Sequence, residues 1–325
     1  MKRLILLISV IFLFSFNVTA QSFSDVSENN QYYSAIESLK NLGIVMGFAD
    51  GTFKPENPVT RAEALKMVLK SAEIDSPETT NLPDFSDVLA GEWYIKFLVK
   101  ALELNIINGN PDGTFAPARM VNKAEFLKML LMAFKIDLSK HQNPVDIISS
   151  DVKVGDWFLP YFSYAKTVGI IYPTLDNRLE PGKYLNRGET AEIIYRLLII
   201  IKGGDTQKML NIAESNLISV LVQLNANNSE KAIEYANSAV FYTEQALIIS
   251  PDTNLVKGAN QIALGFKELC LAYKSGLEND DDSLKSHVAM AKSYASKALE
   301  YDQSLSDLSN KINSEAEVLS NQINS

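Results

Sequence analysis

The sequence predicts an all-helical chain in two parts: three repeated helix-turn-helix units, then a bundle of longer helices. Three observations carry this reading. A four-residue phrase recurs as Thr60-Arg61-Ala62-Glu63, Asn122-Lys123-Ala124-Glu125 and Asn186-Arg187-Gly188-Glu189, each time ahead of apolar residues at helical spacing. Thr or Asn with Glu three residues on is a capping box, which satisfies orphan backbone N–H groups at a helix start. The copies also keep register: 62 residues separate Asp25 from Asp87 and Arg61 from Lys123, and 64 separate Asp87 from Asp151 and Lys123 from Arg187. Finally, residues 203–325 carry apolar stripes of helical period almost throughout.

The first 20 residues have Lys2 and Arg3, an apolar stretch from Leu4 to Phe16 and a small-residue end, Val18-Thr19-Ala20. This is the build of a cleavable secretory signal, and the apolar run is short for a membrane span. No cysteine follows the cleavage point, so lipid anchoring there is not indicated. Later apolar runs are also short of spanning length; Arg196 interrupts the strongest, Ile193 to Ile201. We therefore expect an exported protein with no transmembrane segment in the mature chain.

Each repeat, at about 23–74, 85–136 and 148–201, reads as helix, turn, helix. In the first, Tyr32, Ala35, Ile36, Leu39 and Leu42 follow three-and-four spacing and Gly43 stops the helix. Asp50-Gly51-Thr52-Phe53, matched by Asp112-Gly113-Thr114-Phe115, suits a turn with positive φ followed by a core plug. Calcium is a poor alternative, because one acid per loop falls far short of its ligand count. One copy can hardly bury its own apolar faces, so the three are expected to share a core. The capping phrase leaves its second residue unexplained, since a cation in the first turn faces the positive end of the helix dipole. A guanidinium beside a helix N-terminus could instead receive a carboxylate or phosphate, which makes Arg61, Lys123 and Arg187 candidate anion partners.

These motifs together resemble S-layer homology modules: an opening Asp-Val, an aromatic pair, a Gly-Ile turn, an Asp-Gly-x-Phe loop and a Thr-Arg-Ala-Glu helix start. The likeness covers roughly residues 23 to 201. It implies a pseudo-threefold bundle whose inter-repeat grooves bind secondary cell-wall polysaccharide or a peptidoglycan-linked glycan, often through a pyruvyl ketal carboxylate. By position, Asp50, Gly51, Asp112 and Gly113 would line those grooves with the three cations. Trp93 and Trp157, beside Tyr94 and Phe158, would offer faces to sugar rings, although a Trp at a helix start is also a common core residue. The copies depart from the pattern in places. Gln31 stands where the others have Trp, Lys123 gives up bidentate geometry, and Asn105 replaces the middle glycine. The third copy reads Tyr172-Pro173-Thr174-Leu175-Asp176-Asn177-Arg178-Leu179, without Asp-Gly, and has Gly188 in its helix start. Unequal grooves are expected, with the one at Arg61 the most competent.

After Gly203-Gly204 the composition changes: to residue 325 there are nine Lys, no Arg and sixteen Asp plus Glu. Met209, Ala213, Leu217, Val220, Leu221 and Leu224 form one stripe, and Ala232, Ala236, Ala239, Val240 and Leu247 another. Ser250-Pro251 would start a third helix and Gly276 end it, with two more helices at about 283–300 and 303–323. The pattern is that of an antiparallel bundle, with a faint likeness to a tetratricopeptide repeat at 232–251. A protein partner for 204–325 is one reading and a plain spacer the other. The acidic knot Glu278 to Asp282 reads as a solvated loop.

Net charge −9 argues against nucleic-acid binding, so an anion would have to be held locally. The lone Cys270 excludes an intramolecular disulfide and sits in an apolar run. His141 and His287 are isolated, so neither a zinc cluster nor a nucleophile–histidine pair can be argued from spacing. We expect no catalytic residues, no metal and no cofactor. The function expected is non-covalent anchoring at the cell wall, against the alternatives of an envelope scaffold or a wall-hydrolase subunit.

Overall fold

The computed structural model describes residues 22–28, 30–144, 149–174 and 176–323. The expected export signal lies outside the described residues. Among them there are eleven α-helices and no β-strand, so the chain is all-α. It divides into two compact units, Gln21–Ile201 and Lys202–Ser325.

The first unit holds three helix pairs: α1 (Tyr33–Asn41) with α2 (Arg61–Ser71), α3 (Ile95–Glu103) with α4 (Lys123–Ala133), and α5 (Leu159–Thr167) with α6 (Arg187–Lys202). Both capping boxes form at Thr60/Glu63 and Asn122/Glu125, and Asn186 and Glu189 exchange the same two bonds at 2.7 and 3.0 Å. The first helix of each pair ends on a left-handed residue, Gly43, Asn105 or Gly169. Asn tolerates that conformation, which is why the second copy dispenses with glycine there.

The three copies close into a ring through backbone bonds. The N–H of Val59 donates to Leu185, that of Leu185 to Val121 and that of Val121 back to Val59, at 3.0, 3.2 and 3.0 Å. All three side chains are buried. The opening aspartate of each copy pins its loop: Asp25 accepts from the N–H groups of Phe53 and Lys54, Asp87 from Phe115 and Ala116, Asp151 from Leu179 and Glu180, all at 2.7–2.8 Å.

The third loop differs from expectation. It keeps the shape of the others despite lacking Asp-Gly, because Asn177 takes the left-handed position at φ 57° and Leu179 fills the place of Phe53 and Phe115. Ser150 N–H bonds Asn177 C=O at 2.7 Å, just as Ser24 bonds Gly51 and Ser86 bonds Gly113.

The second unit contains α7 (Thr206–Asn225), α8 (Ser229–Ile249), α9 (Asn254–Glu278), α10 (Asp281–Tyr301) and α11 (Ser306–Ile323). Consecutive helices pack pairwise, and α9 also touches α7 and α11. Close approach to α9 depends on Gly258 and Gly265, where a Cβ would meet Leu305 Cδ1 at 2.5 Å and Ile312 Cδ1 at 2.8 Å.

Two expected boundaries move. Ser250 caps the C-terminus of α8 and Thr253 precedes α9, so Pro251 follows one helix rather than opening the next. Gly276 stays helical, and the left-handed Asn279 ends α9. In the acidic knot, Asp280 caps α10 and Asp281 and Asp282 lie in its first turn, where the helix dipole favours them. Cys270 is fully buried and its surroundings push the thiol pKa up. It should resist a thiol reagent in the native protein at neutral pH and react fully once denaturant is added; stoichiometric labelling without denaturant would contradict the burial.

Candidate functional site: grooves between the repeats

The helix starts face the neighbouring repeat and not solvent. The N–H groups of Arg61 and Ala62 donate to Arg119 and Pro117, those of Lys123 and Ala124 to Lys183 and Pro181, and those of Arg187 and Gly188 to Asn57 and Pro55, at 2.8–3.1 Å. The third amide of each helix is taken by its capping side chain. No first-turn amide is therefore left for a ligand, which corrects the expectation that helix starts would help grip an anion. That task falls to side chains.

Each of the three cations reaches across a repeat boundary. Arg61 is 7% exposed; its Nη2 donates to Asn108 C=O at 3.2 Å and its guanidinium lies over Phe115 at 5.2 Å. The Arg61 Nε is buried without a hydrogen-bond partner. Arg187 donates from Nε to Phe53 C=O at 2.8 Å and from Nη2 to Met46 C=O at 3.1 Å, stacked over Phe53 at 4.4 Å. Lys123 Nζ donates to Leu179 C=O at 2.9 Å. The choice of cation follows the facing side chain: each Arg lies over a Phe ring, whereas Leu179 offers no aromatic face to a guanidinium. Burial pulls the pKa of all three cations down. A charge so poorly solvated gains by meeting an anion.

Around Arg61 is a groove of about 280 Å³ lined by Asn108, Gly109, Glu125, Lys128 and Trp157 among others, so three repeats contribute to it. Lys128 Nζ lies 5.7 Å from the centre of the Trp157 ring, and that indole is 54% exposed. Arg119 grips Glu125 with two bonds, at 2.6 and 3.1 Å, whereas Arg61 Nη1 is 3.8 Å from the same carboxylate. Glu125 is thus largely matched without Arg61.

The equivalent positions around Arg187 are Met46, Gly47, Glu63, Lys66 and Trp93. Lys66 lies over the Trp93 ring at 5.3 Å, and Trp93 is 48% exposed. Burial, then repulsion from Lys70, Lys96 and Arg187, lowers the Lys66 pKa. Around Lys123 the pattern fails. Glu192 replaces the lysine and bonds Arg196 at 2.8 Å, and Gln31 replaces the tryptophan. Lys123, Lys183 and Arg196 there face Glu180, Glu189 and Glu192, a balanced set. The Arg61 site keeps a surplus, Arg61, Arg119 and Lys128 against Glu125, whereas at the remaining site Arg187 and Lys66 meet Glu63 and Asp25.

Asp50 and Asp112 have a different place. Each accepts from the backbone N–H and hydroxyl of the threonine two residues on, Thr52 or Thr114. The Thr52 bonds hold Asp50 at a pKa of about 2. Gly51 and Gly113 supply the left-handed turn at φ 78° and 79°. These four residues stand at exposed loop tips, and the Arg61 groove is lined instead by Asn108 and Gly109. Sequence reasoning passed over Lys66 and Lys128. The signal was available, since both follow the basic position of the phrase by five residues and the third copy has Glu192 there. Elsewhere, His141 bonds Ser163 at 3.0 Å and His287 bonds Glu268 at 2.7 Å.

Comparison with known proteins gives a consistent set. The S-layer homology domain model matches residues 22–65 and 84–127. The third copy lies beyond those matches, although its capping, loop and ring bonds repeat theirs. The chain is 31% identical over 181 residues to an amylopullulanase of Thermoanaerobacterium thermosulfurigenes, covering 55% of this chain and 10% of that protein. It is 30% identical over 156 residues to a cellulosome-anchoring protein of Acetivibrio thermocellus, covering 47% and 34%. It is 26% identical over 210 residues to a surface-layer 125 kDa protein of Lysinibacillus sphaericus, covering 62% and 17%. The chain thus spans about a third or less of the length of these relatives.

Proposed function

We propose, starting from the S-layer homology domains that this chain carries, that it is a non-catalytic anchor held at the cell surface by acidic cell-wall polysaccharide. The observation that supports this best is the Arg61 groove: a buried guanidinium with an unpartnered Nε, Lys128 beside it and an open Trp157 face. A carboxylate can pair with the cations while a sugar ring lies on the indole. A pyruvyl ketal on the glycan would supply that carboxylate. The Arg187 site offers a buried guanidinium, Lys66 and an open Trp93 face, although its Nε already donates to Phe53 C=O, and acts as a second site, whereas the Lys123 site, with Glu192 and Gln31 in place of the lysine and tryptophan, does not bind. The helical unit from 202 onward presents or spaces what the anchor carries. Relatives named for surface-layer formation and for cellulosome anchoring accord with this reading, and the amylopullulanase relative is a catalyst of which this chain matches only a tenth.

Binding of the protein to purified wall polymer, measured before and after mild acid removal of its pyruvyl groups, tests the chemistry. A loss of about a hundredfold in affinity is expected, the scale of two charge-assisted hydrogen bonds at roughly 1.5 kcal/mol each. Equal binding to both polymers would overturn the ketal assignment.

A further inference from the structure

Asn108-Gly109 is the one Asn-Gly pair in the sequence. An asparagine before glycine can close a five-membered ring on itself, because glycine leaves the approach to its own backbone nitrogen unhindered. Packing requires the glycine here: a Cβ at 109 would meet Phe85 Cε1 at 2.1 Å. Asn108 is exposed, and among the described residues neither its side-chain amide nor the Gly109 N–H has a hydrogen-bond partner. The two Asp-Gly pairs differ on both counts. The Gly51 and Gly113 N–H groups donate to Phe48 and Asn110 C=O, each at 3.0 Å, and hydrogen bonds from Thr52 and Thr114 keep Asp50 and Asp112 ionised and so poorly electrophilic.

Arg61 adds a chemical push. The Asn108 C=O and the Gly109 N–H belong to one conjugated peptide unit. As that nitrogen gives up its proton, negative charge develops on the Asn108 carbonyl oxygen. Arg61 Nη2 stands 3.2 Å from that oxygen, on a side chain only 7% exposed. A buried cation already aimed at developing charge stabilises it with little reorganisation or screening.

We infer that Asn108 is a site of self-modification, a deamidation that Arg61 promotes. Hydroxide takes the Gly109 amide proton, and the nitrogen bonds to Asn108 Cγ. The Cγ–Nδ2 bond then breaks as water protonates the leaving nitrogen, so ammonia departs and hydroxide is returned. Water opens the resulting succinimide at either carbonyl. Breaking the new N–Cγ bond leaves aspartate at 108, and breaking the original peptide bond leaves the β-linked isomer. Either product adds one negative charge to the groove that Asn108 lines beside Arg61. The consequence for anchoring, a weaker hold on an anion there, rests on the carboxylate reading above; the modification does not.

The test holds the purified full chain at mildly alkaline pH, samples it over days and maps its peptides by mass spectrometry. Asn108 should convert ahead of every other asparagine. In Arg61→Met, with its fold checked by circular dichroism, the rate should fall by about tenfold, the rate equivalent of one charge-assisted hydrogen bond. Should that variant unfold, Met46→Asn decides. It places asparagine before Gly47 at an exposed position whose carbonyl accepts from Arg187 Nη2 at 3.1 Å, as that of Asn108 does from Arg61. A second deamidation should appear there. An Asn108 that stays intact would overturn the inference, as would an unchanged rate in folded R61M or an inert M46N. Wall retention reads the consequence separately, in a K66E background that disables the Arg187 site. K66E/N108D should be retained less than K66E; equal retention would remove the effect on anchoring and leave the modification standing.

Discussion

Reversing Lys66 and Lys128 together to glutamate is expected to abolish retention on purified walls while shifting the thermal unfolding midpoint by no more than about 5 °C. Each reversal removes a positive partner from a groove and installs a negative one beside a buried arginine, Arg187 or Arg61. Neither lysine carries a backbone or ring bond that holds the fold together. Both ammonium groups lie over indole faces at more than 5 Å, an interaction of about 1 kcal/mol or less at such open positions. Glu192 occupies the matching position in the third copy with the helix intact, so the backbone accepts the change.

The two single variants should lose far less than the double. Two sites on one body bind a polymer with an effective concentration in the millimolar range, so either groove alone retains partial avidity. Retention by the double variant at wild-type levels would exclude these grooves as the attachment site. A neutral pair, K66Q/K128Q, should fall between, which separates loss of attraction from added repulsion.

What the sequence disclosed, and what it withheld, follows from the range of the interactions. Capping boxes, left-handed helix ends and the Asp-Gly turns involve residues within five positions of one another, and repetition in register made them plain. The helix amides look open to an anion in the sequence because their partners, Arg119, Pro117, Lys183, Pro181, Asn57 and Pro55, come from another repeat. The Lys-for-Arg change at position 123 gives up bidentate geometry, and what explains it, the aliphatic Leu179 facing it where the other copies have Phe, comes from the neighbouring repeat. The same holds for the third loop: Asn177 in place of glycine is a local signal, whereas the bonds from Asp151 that hold the loop come from 28 and 29 residues away.

Gly188 shows the same non-local logic and leads to the second large expectation. Gly188→Ala should destabilise the three-repeat unit by about 2–3 kcal/mol, seen as a fall in the urea midpoint at unchanged slope. Helix propensity argues the other way, since alanine is favoured over glycine by up to about 1 kcal/mol in a helix interior and by less in a first turn. Packing decides the sign. A Cβ at 188 would lie 2.1 Å from Tyr32 Cδ2, with two more ring atoms at 2.6 and 2.7 Å, so no small shift of one atom relieves it. The collision falls on the joint where the third copy meets the first, beside the Gly188 N–H bond to Pro55 and the Arg187 bonds to Phe53 and Met46. Displacing Tyr32 therefore opens the ring of repeats where it closes. Ala62 and Ala124 fill this position in the other copies without penalty, because the helix starts they occupy were built around a methyl group. Combining G188A with Tyr32→Leu should recover much of the loss, whereas Gly182→Ala, with open space around its Cβ, should cost little. An unchanged midpoint for G188A would mean that Tyr32 does not pack on this helix start and that the third copy closes the ring in some other way.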